Sequence, residues 1–317
     1  MNCKNPISFR RRSEAPFPCG QCLPCRINYR RIWTHRILLE SKLWPSNAFL
    51  TLTYRDEDLP EHGSLVPNHH RLFINNLRTQ YAAKTGDRLR FYMVGEYGDK
   101  TFRPHYHYAL FNFANCRGPG PVWRGRKYIP CNCIVCAFIS DVWGKGHIFL
   151  GKLEYESAQY VAGYVTKKMT KKDDPRLRVI DSETGEILYR FPEFTRMSRD
   201  PGIAAGAADV LAASIVKSNL DTIPRVLRHG DKRLPFGRYL TGKIHEKTHL
   251  PPAEPGENLR KYETSQMLSM LISSKNDKKV TTAIASGSAA IGMQLVNSQK
   301  SLQIEQRFKR KVKQHEI

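Results

Sequence analysis

The chain has 317 residues, 40% of them hydrophobic, which is enough to form a folded core. Lysine and arginine total 51 against 29 aspartates and glutamates, and the net charge of +22 favours a polyanionic partner such as nucleic acid over a merely solvated basic surface. The longest run of small and apolar residues, 280–296, is interrupted by polar residues, and residues 1–12 lack the apolar segment of a secretion signal, which argues against a membrane protein and against export.

Hydrophobic periodicity and turn residues predict alternating helices and strands. The predicted elements are a basic helix over 25–43, a strand over 48–54, a helix over 68–81 capped by Asn68, strands over 90–96, 104–111 and 147–153, and a helix over 157–169 capped by Ser157. Because short hairpins connect neighbouring strands, we expect antiparallel pairing and an α+β fold.

Composition divides the chain into predicted regions. They are a Cys- and Arg-rich N-terminal helical segment (1–47), a main domain (48–172) with a Cys-rich insert (112–146), an accessory region (173–250) and a basic C-terminal tail (251–317). We expect the chemistry in the main domain, because the motifs that indicate it fall there.

The first chemical motif is a pair of histidines on a predicted strand. Alternate residues of a strand share one face, so His105 and His107 offer two imidazoles to one ion. Glu96 ends the preceding strand, and a hairpin would bring it beside the pair. Two imidazoles and a carboxylate with open coordination positions suit Mg²⁺ or Mn²⁺ acting on a phosphate. The alternative for Glu96 is a surface carboxylate next to a turn.

The second motif places two tyrosines one helical turn apart. Tyr160 and Tyr164 are neighbours on one helix face, and a phenol can attack phosphorus to form a covalent intermediate when it is assisted. A metal would assist by polarising the phosphate. Lys167 would steady the phenolate or the phosphate, and Lys168 would contact DNA. The alternative is a tyrosine pair packed in a core.

Eight cysteines without an export signal suggest metal binding or reduced thiols rather than disulfides. One group has the number and closeness of ligands for a structural Zn²⁺ site, against the alternative of free structural thiols: Cys116, Cys131, Cys133 and Cys136. A second group, Cys19, Cys22 and Cys25, lacks an obvious fourth ligand, for which Cys3 or His35 could serve.

The predicted N-terminal helix carries a run of arginines. Arg26, Arg30, Arg31 and Arg36 either follow a DNA backbone or form a solvated face, and phosphate contact is the favoured interpretation. Such contacts position a protein on DNA without reading its sequence.

These motifs, in this order, closely resemble those of the replication initiators of microviruses, specifically the gokushovirus-type group. That group belongs to the HUH endonucleases with two catalytic tyrosines. The stretches that carry the resemblance are F-L-T-L-T-Y at 49–54, E-Y-G at 96–98, R-P-H-Y-H-Y-A-L-F at 103–111 and Y-V-A-G-Y-V-T-K-K at 160–168. The resemblance covers residues 15–170 closely and 190–245 more loosely.

The resemblance implies a five-stranded antiparallel sheet with the tyrosine helix over it, and a rolling-circle mechanism. One tyrosine would cut the origin strand and stay joined to the 5′-phosphate, leaving a 3′-hydroxyl as primer. The second would act after one round, completing strand transfer and ligation. His105 and His107 match the metal pair, and Tyr160 and Tyr164 match the nucleophile pair. The third ligand, here Glu96, varies in this superfamily.

The resemblance also implies partners. We expect single-stranded and replicative-form origin DNA, a host replication helicase and a host polymerase, in the cytoplasm of a bacterial host and without a membrane. The alternatives are another HUH enzyme (a plasmid initiator, relaxase or transposase) or a non-catalytic zinc-containing nucleic-acid-binding protein. Relaxases usually carry three histidines and small transposases one tyrosine, so the tyrosine pair argues against both.

Overall fold

The computed structural model describes residues 3–7, 17–125, 127–163, 174–181, 183–229 and 231–253. In these ranges the helices are α1 (Leu23–Lys42), α2 (Pro67–Thr85), α3 (Ile134–Trp143), α4 (Tyr155–Gly163), α5 (Ala205–Lys217) and α6 (Gly237–Thr248). The strands are β1 (Asn47–Thr53), β2 (Arg90–Tyr97), β3 (Pro104–Phe111), β4 (Val122–Arg124), β5 (Lys127–Ile129), β6 (Ile148–Lys152), β7 (Arg178–Ile180), β8 (Ile187–Tyr189), β9 (Phe194–Met197), β10 (Val226–His229) and β11 (Lys232–Pro235).

None of the helices in these ranges combines the length and apolarity needed to cross a membrane.

The main sheet of the described part has five antiparallel strands in the order β6-β1-β3-β2-β9, which confirms the predicted α+β fold. The strands predicted near residues 48, 90, 104 and 147 are its β1, β2, β3 and β6. Local periodicity did not predict β9, because this four-residue strand is far from its partner β2 in the chain. Its pairing depends on the folded core rather than on its own pattern.

The residues of β3 alternate between two environments. Tyr106 and Tyr108 are fully buried in the core that α2 and α3 cover, and the Tyr108 hydroxyl is hydrogen-bonded to Nδ1 of His70 at 2.9 Å. His105 and His107 have the opposite phase on the strand and face the other side of the sheet. Strand alternation therefore separates the packing face of β3 from its histidine face.

Helix α1 packs against the main sheet through its middle turns. The Trp33 and Tyr92 rings are 5.0 Å apart. Arg36 is also buried here, and its guanidinium donates two hydrogen bonds, of 3.1 and 3.0 Å, to the carbonyl of Ile203. The prediction that Arg36 contacts DNA is wrong, because this guanidinium is an internal cross-link.

Two helices begin at other residues than predicted. Helix α2 begins at Pro67, whose fixed φ and missing N–H suit a first turn, so Asn68 lies inside the helix instead of capping it. Helix α4 begins at Tyr155, so Ser157 lies in its first turn, where the hydroxyl accepts a hydrogen bond from the N–H of Glu154 at 2.8 Å. The predicted continuation of this helix beyond residue 163 lies outside the described residues.

The predicted insert, 112–146, contains the β4–β5 hairpin and α3, and it is part of the core. The indole N–H of Trp143 donates a 2.9 Å hydrogen bond to the carbonyl of Thr53 at the end of β1. Gly146 follows with φ +153°, and a Cβ there would lie 2.5 Å from the backbone nitrogen of Arg55. Glycine is required at this close crossing of two backbones.

A buried ion pair joins α1 to the start of β2. Nε of Arg90 lies 2.6 Å from Oε1 of Glu40, both side chains are almost fully buried, and Arg90 also donates to the carbonyl of Pro201 at 2.8 Å. Removing one partner of a buried pair costs about 3–5 kcal/mol, because the other charge stays buried without compensation. We expect Arg90→Met to lower the free energy of unfolding by about 3 kcal/mol or more, measured by urea denaturation.

The exposed neighbour Arg88 provides the matched control. Arg88→Met should change the unfolding free energy by less than about 1 kcal/mol, since surface substitutions rarely cost more. The double variant Glu40→Met/Arg90→Met should lose less than the sum of the two single losses. Wild-type stability in Arg90→Met would contradict the structural role of the pair.

A second compact unit comprises Lys42–Pro45 and the residues from Ala204 onward, whereas the first comprises the chain up to Ser41 and Ser46–Ile203. In the described part of the second unit, α5 and α6 pack together and β10 and β11 form a hairpin. Its buried apolar residues include Leu211, Ile215, Leu240 and Ile244. The predicted C-terminal tail lies almost wholly outside the described residues.

Candidate functional site

A cavity of about 360 Å³ opens on the histidine face of the main sheet. Strands β1, β2, β3 and β6 and helix α4 all contribute to it. The lining residues are Thr51, Thr53, Glu96, Gly98, Asp99, His105, His107, Tyr128, His147, Ile148, Phe149 and Tyr160. The structure thus brings together four of the residues that the motifs predicted: Glu96, His105, His107 and Tyr160.

The strand register determines which of these side chains are neighbours. His105 of β3 lies opposite Glu96 of β2 and opposite Thr53 of β1, and His107 lies opposite Thr51. The two histidine rings are stacked, with centroids 6.1 Å apart and planes 12° apart. Two imidazoles and a carboxylate therefore share one small area of the sheet.

His107 is hydrogen-bonded at both ring nitrogens. Its Nδ1 lies 2.8 Å from the hydroxyl of Thr51, and its Nε2 lies 2.8 Å from Oε1 of Glu96. The side chains of His107 and Glu96 are 7% and 3% exposed, so these contacts are shielded from water. Such contacts fix the orientation of an imidazole, which is what a metal ligand requires.

The donor set fits a divalent cation chemically. Burial lowers the pKa of His105, and the neighbouring His107 lowers it further, so the ring of His105 is neutral near pH 7 and keeps a lone pair for a cation. Among the described residues only cysteine groups bring three or more ligand atoms within 4.8 Å of one another. In the histidine site Glu96 and His107 are in direct contact, and His105 is stacked beside them.

Tyr160 reaches the same cavity from α4. Its hydroxyl donates a 3.3 Å hydrogen bond to Oε1 of Glu96. Its ring meets the rings of His107 and Phe49 edge-on, with centroids 5.1 and 6.1 Å apart, and the residue is 43% exposed. The phenol is therefore both positioned and accessible. The other predicted residues of this motif lie outside the described residues: Tyr164, Lys167 and Lys168.

The sequence motifs did not indicate three of the cavity residues: Asp99, Tyr128 and His147. The His147 and Tyr128 rings have centroids 4.3 Å apart. Burial lowers the pKa of His147, and the nearby charges of Arg55 and Arg103 lower it further, so this side of the cavity has a positive potential that suits a phosphate. No local signal marks these residues, because they approach the histidine pair only when β6 pairs with β1.

The predicted cysteine group of the insert is gathered at one point. The sulfurs of Cys116, Cys131, Cys133 and Cys136 all lie within 4.8 Å of one another. Cys116 is 3.6 Å from Cys131 and 3.8 Å from Cys133, sulfur to sulfur. Zinc–sulfur bonds of about 2.3 Å in a tetrahedron place sulfurs about 3.8 Å apart. The group therefore has the dimensions of a site that could hold a metal such as zinc.

The arginines of α1 are in different environments. Arg30 donates from Nε to the carbonyl of Gln159 in α4 at 3.2 Å. Arg26 and Arg31 are half-buried on the same helix. Contact between DNA and Arg26, Arg30 or Arg31 remains a prediction.

Comparison with known proteins identifies relatives. Residues 47–169, which include the histidine strand and the tyrosine motif, match the family of the replication-associated protein ORF2. The replication-associated protein VP4 of Bdellovibrio phage phiMH2K is 39% identical over 165 residues, which are 50% of this chain and 50% of that protein. The replication-associated protein ORF2 of Spiroplasma virus 4 is 34% identical over 191 residues, 59% of this chain and 55% of that protein.

A third relative is more distant. The replication-associated protein ORF4 of Chlamydia phage 1 is 28% identical over 154 residues, 48% of this chain and 38% of that protein. The chain thus spans about half the length of the curated relatives it matches, and no solved structure matches it. The shared motifs and these relatives confirm the resemblance to microvirus initiators, and the chain belongs to the replication-associated proteins of phages.

Proposed function

We propose that this protein initiates rolling-circle replication by nicking one DNA strand at the origin through a covalent tyrosine intermediate. The observation that carries the proposal is the meeting of Tyr160, Glu96 and the histidine pair in one cavity, where the tyrosine hydroxyl is 3.3 Å from the carboxylate. The family of replication-associated proteins provides the biological setting.

The proposed reaction uses a divalent cation, for which His105, His107 and Glu96 are the ligands. When bound, Mg²⁺ or Mn²⁺ would polarise the scissile phosphate and stabilise charge in the transition state. Glu96 and the ring of His107 hold the phenol of Tyr160 at the cavity, which lowers the entropic cost of attack.

The atoms balance as a phosphoryl transfer. The phenol oxygen of Tyr160 forms a bond to phosphorus, and the bond between phosphorus and the 3′-oxygen breaks. The 3′-oxygen takes up a proton and becomes the primer end, while the 5′-phosphate remains on the protein. Tyr164 would act as the nucleophile for the second cut and for strand transfer, with Lys167 to steady the phenolate and Lys168 on the DNA.

The same reaction suggests the cellular partners. A free 3′-hydroxyl is productive only with a polymerase, and the duplex behind the nick must be unwound. We therefore expect a host polymerase and a host helicase to act with the protein on single-stranded and replicative-form origin DNA, in the cytoplasm of the bacterial host.

A random library of labelled single-stranded oligonucleotides tests the chemistry, because short origin sequences of any kind are represented in it. After incubation with Mn²⁺, a 3′-end label should migrate with the protein in denaturing gels, whereas a 5′-end label should be released on a shorter strand. Peptide mapping should place the adduct on Tyr160 or Tyr164. A protein that binds the library but forms no adduct would be a non-catalytic zinc-containing binder instead.

Binding of single-stranded DNA should weaken steeply with salt. A chain of net charge +22 has many cations that can replace counterions on phosphates. Roughly six phosphate contacts would lower the affinity on the order of a thousandfold between about 50 and 200 mM salt. Fluorescence anisotropy at several salt concentrations measures this slope, and an affinity that does not change with salt would show that the charge serves another partner.

A further inference from the structure

Four cysteines near the N-terminus converge although the first lies 16 residues before the second. The sulfurs of Cys3, Cys19, Cys22 and Cys25 all lie within 4.8 Å of one another. Those of Cys22 and Cys3 are 3.8 Å apart, which matches the edge of about 3.8 Å in a tetrahedral zinc–thiolate site. A disulfide would require about 2.05 Å, so the pair is not bonded.

The backbone around these sulfurs is arranged as in a metal-binding turn. The N–H of Cys22 points at the sulfur of Cys19 at 3.3 Å, that of Cys19 at Cys3 at 3.2 Å, and that of Lys4 at Cys22 at 3.5 Å. Gly20, with φ +74°, turns the chain between the first two ligands of the C-x-x-C motif. N–H groups aimed at sulfur stabilise the thiolate form, which is the form that binds a metal.

A short antiparallel pairing holds the first ligand in place. Ile7 and Phe17 exchange two backbone hydrogen bonds of 2.9 Å, which brings the segment of Cys3 beside that of Cys19. The sequence left Cys3 and His35 as alternatives for the fourth ligand. The gathered group contains Cys3, whereas His35 is fully buried in the middle of α1.

We infer that Cys3, Cys19, Cys22 and Cys25 form a structural Zn²⁺ site, separate from the group in the insert. Four thiolates in a tetrahedral arrangement favour zinc among the common divalent ions. The site joins the N-terminal segment to the first turns of α1, because Cys25 lies in that helix. It needs no catalytic metal and no DNA, so it stands independently of the proposed nicking reaction.

The proposed site also supports the helix that carries Tyr160. Five residues after Cys25, Arg30 donates to the carbonyl of Gln159 in α4, and its guanidinium lies 3.4 Å from the position of a Cβ at Gly163. Zinc at the start of α1 would restrain this contact. Arg30 is therefore a positioning residue for α4.

Metal content provides the first test. The full chain, purified without chelators, should contain two zinc ions per molecule by plasma mass spectrometry, and Cys22→Ser should lose one. The matched variant in the insert, Cys133→Ser, should lose the other. Loss of one equivalent in Cys22→Ser supports the site, whatever the insert group holds. Unchanged zinc in Cys22→Ser, or iron in place of zinc, overturns it.

A second measurement needs no variant and so does not depend on whether Cys22→Ser folds. The four N-terminal cysteines are only partly buried, so burial alone would not protect them from alkylation. In the native protein they should resist iodoacetamide, and a zinc chelator should make all four reactive. Rapid labelling of these cysteines in the zinc-containing protein overturns the site.

Amide hydrogen exchange tests the connection to α4. Exchange in Tyr155–Gly163 should accelerate in Cys22→Ser. Arg30→Gln should accelerate it equally while zinc content stays at the wild-type value. Wild-type exchange of α4 in both variants would overturn the positioning role of Arg30 and leave the zinc measurement to decide the site.

Discussion

Alanine at position 107 is expected to abolish nicking while DNA binding remains. His107 would lose its place as a cation ligand, and the cation is worth several kcal/mol in the transition state, so a loss of about 4 kcal/mol corresponds to a rate on the order of a thousandfold lower. The phosphate-contacting charges are untouched, so affinity in anisotropy measurements should stay within about twofold. The same result is expected for His105→Ala.

The control for this experiment is His245→Ala, which removes an exposed histidine from the second unit. It should nick at the wild-type rate. His107 is buried and hydrogen-bonded to Thr51 and Glu96, so circular dichroism must show that His107→Ala is folded before its rate is interpreted. A folded His105→Ala or His107→Ala that cleaves single-stranded DNA at the wild-type rate would disprove the metal site.

Removing both phenol groups is expected to eliminate the covalent adduct completely. Tyr160→Phe keeps the ring that packs on His107 and Phe49 but loses the hydroxyl that bonds to Glu96. Each single change, Tyr160→Phe or Tyr164→Phe, should block the release of closed circles, because the first tyrosine is still attached to DNA when the second cut is due. We expect Tyr164 to make the first cut, since Lys167 follows it in a Y-x-x-K sequence.

Tyr155→Phe is the matched control, because it makes the same change on the same helix. It should leave adduct formation and circle release unchanged. The readouts are the 3′-labelled adduct and the circular product of each variant. Normal circle release by either Tyr160→Phe or Tyr164→Phe would reduce that tyrosine to a packing residue and favour a one-tyrosine mechanism.

Local patterns predicted the elements better than their boundaries. A period of two residues placed His105 and His107 on one face of a strand, and β3 is a strand with that phase. Capping was predicted less well: Asn68 and Ser157 both lie inside helices, since Pro67 and the turn at Glu154 start those helices instead. The start of a helix depends on a few backbone hydrogen bonds that composition describes poorly.

Burial also changed the interpretation of a charged residue. In the sequence, Arg36 belongs to the same basic run as Arg30 and Arg31. The fold buries it under the Trp33 ring and against the carbonyl of Ile203, 167 residues away in the chain. A guanidinium is usually exposed, and only a partner supplied by a distant segment makes its burial favourable.

The family, the α+β class, the histidine pair, the tyrosine motif and the two cysteine groups all follow from the order of residues, because each motif is a local spacing that the backbone converts directly into a shared face or a tight turn. Folding was needed to bond Glu96 to His107 and Tyr160, to add Cys3 to the N-terminal group, and to bring His147 to the cavity. These contacts join segments that are separated in the chain. Their geometry follows from strand register and helix packing, which the whole core sets at once.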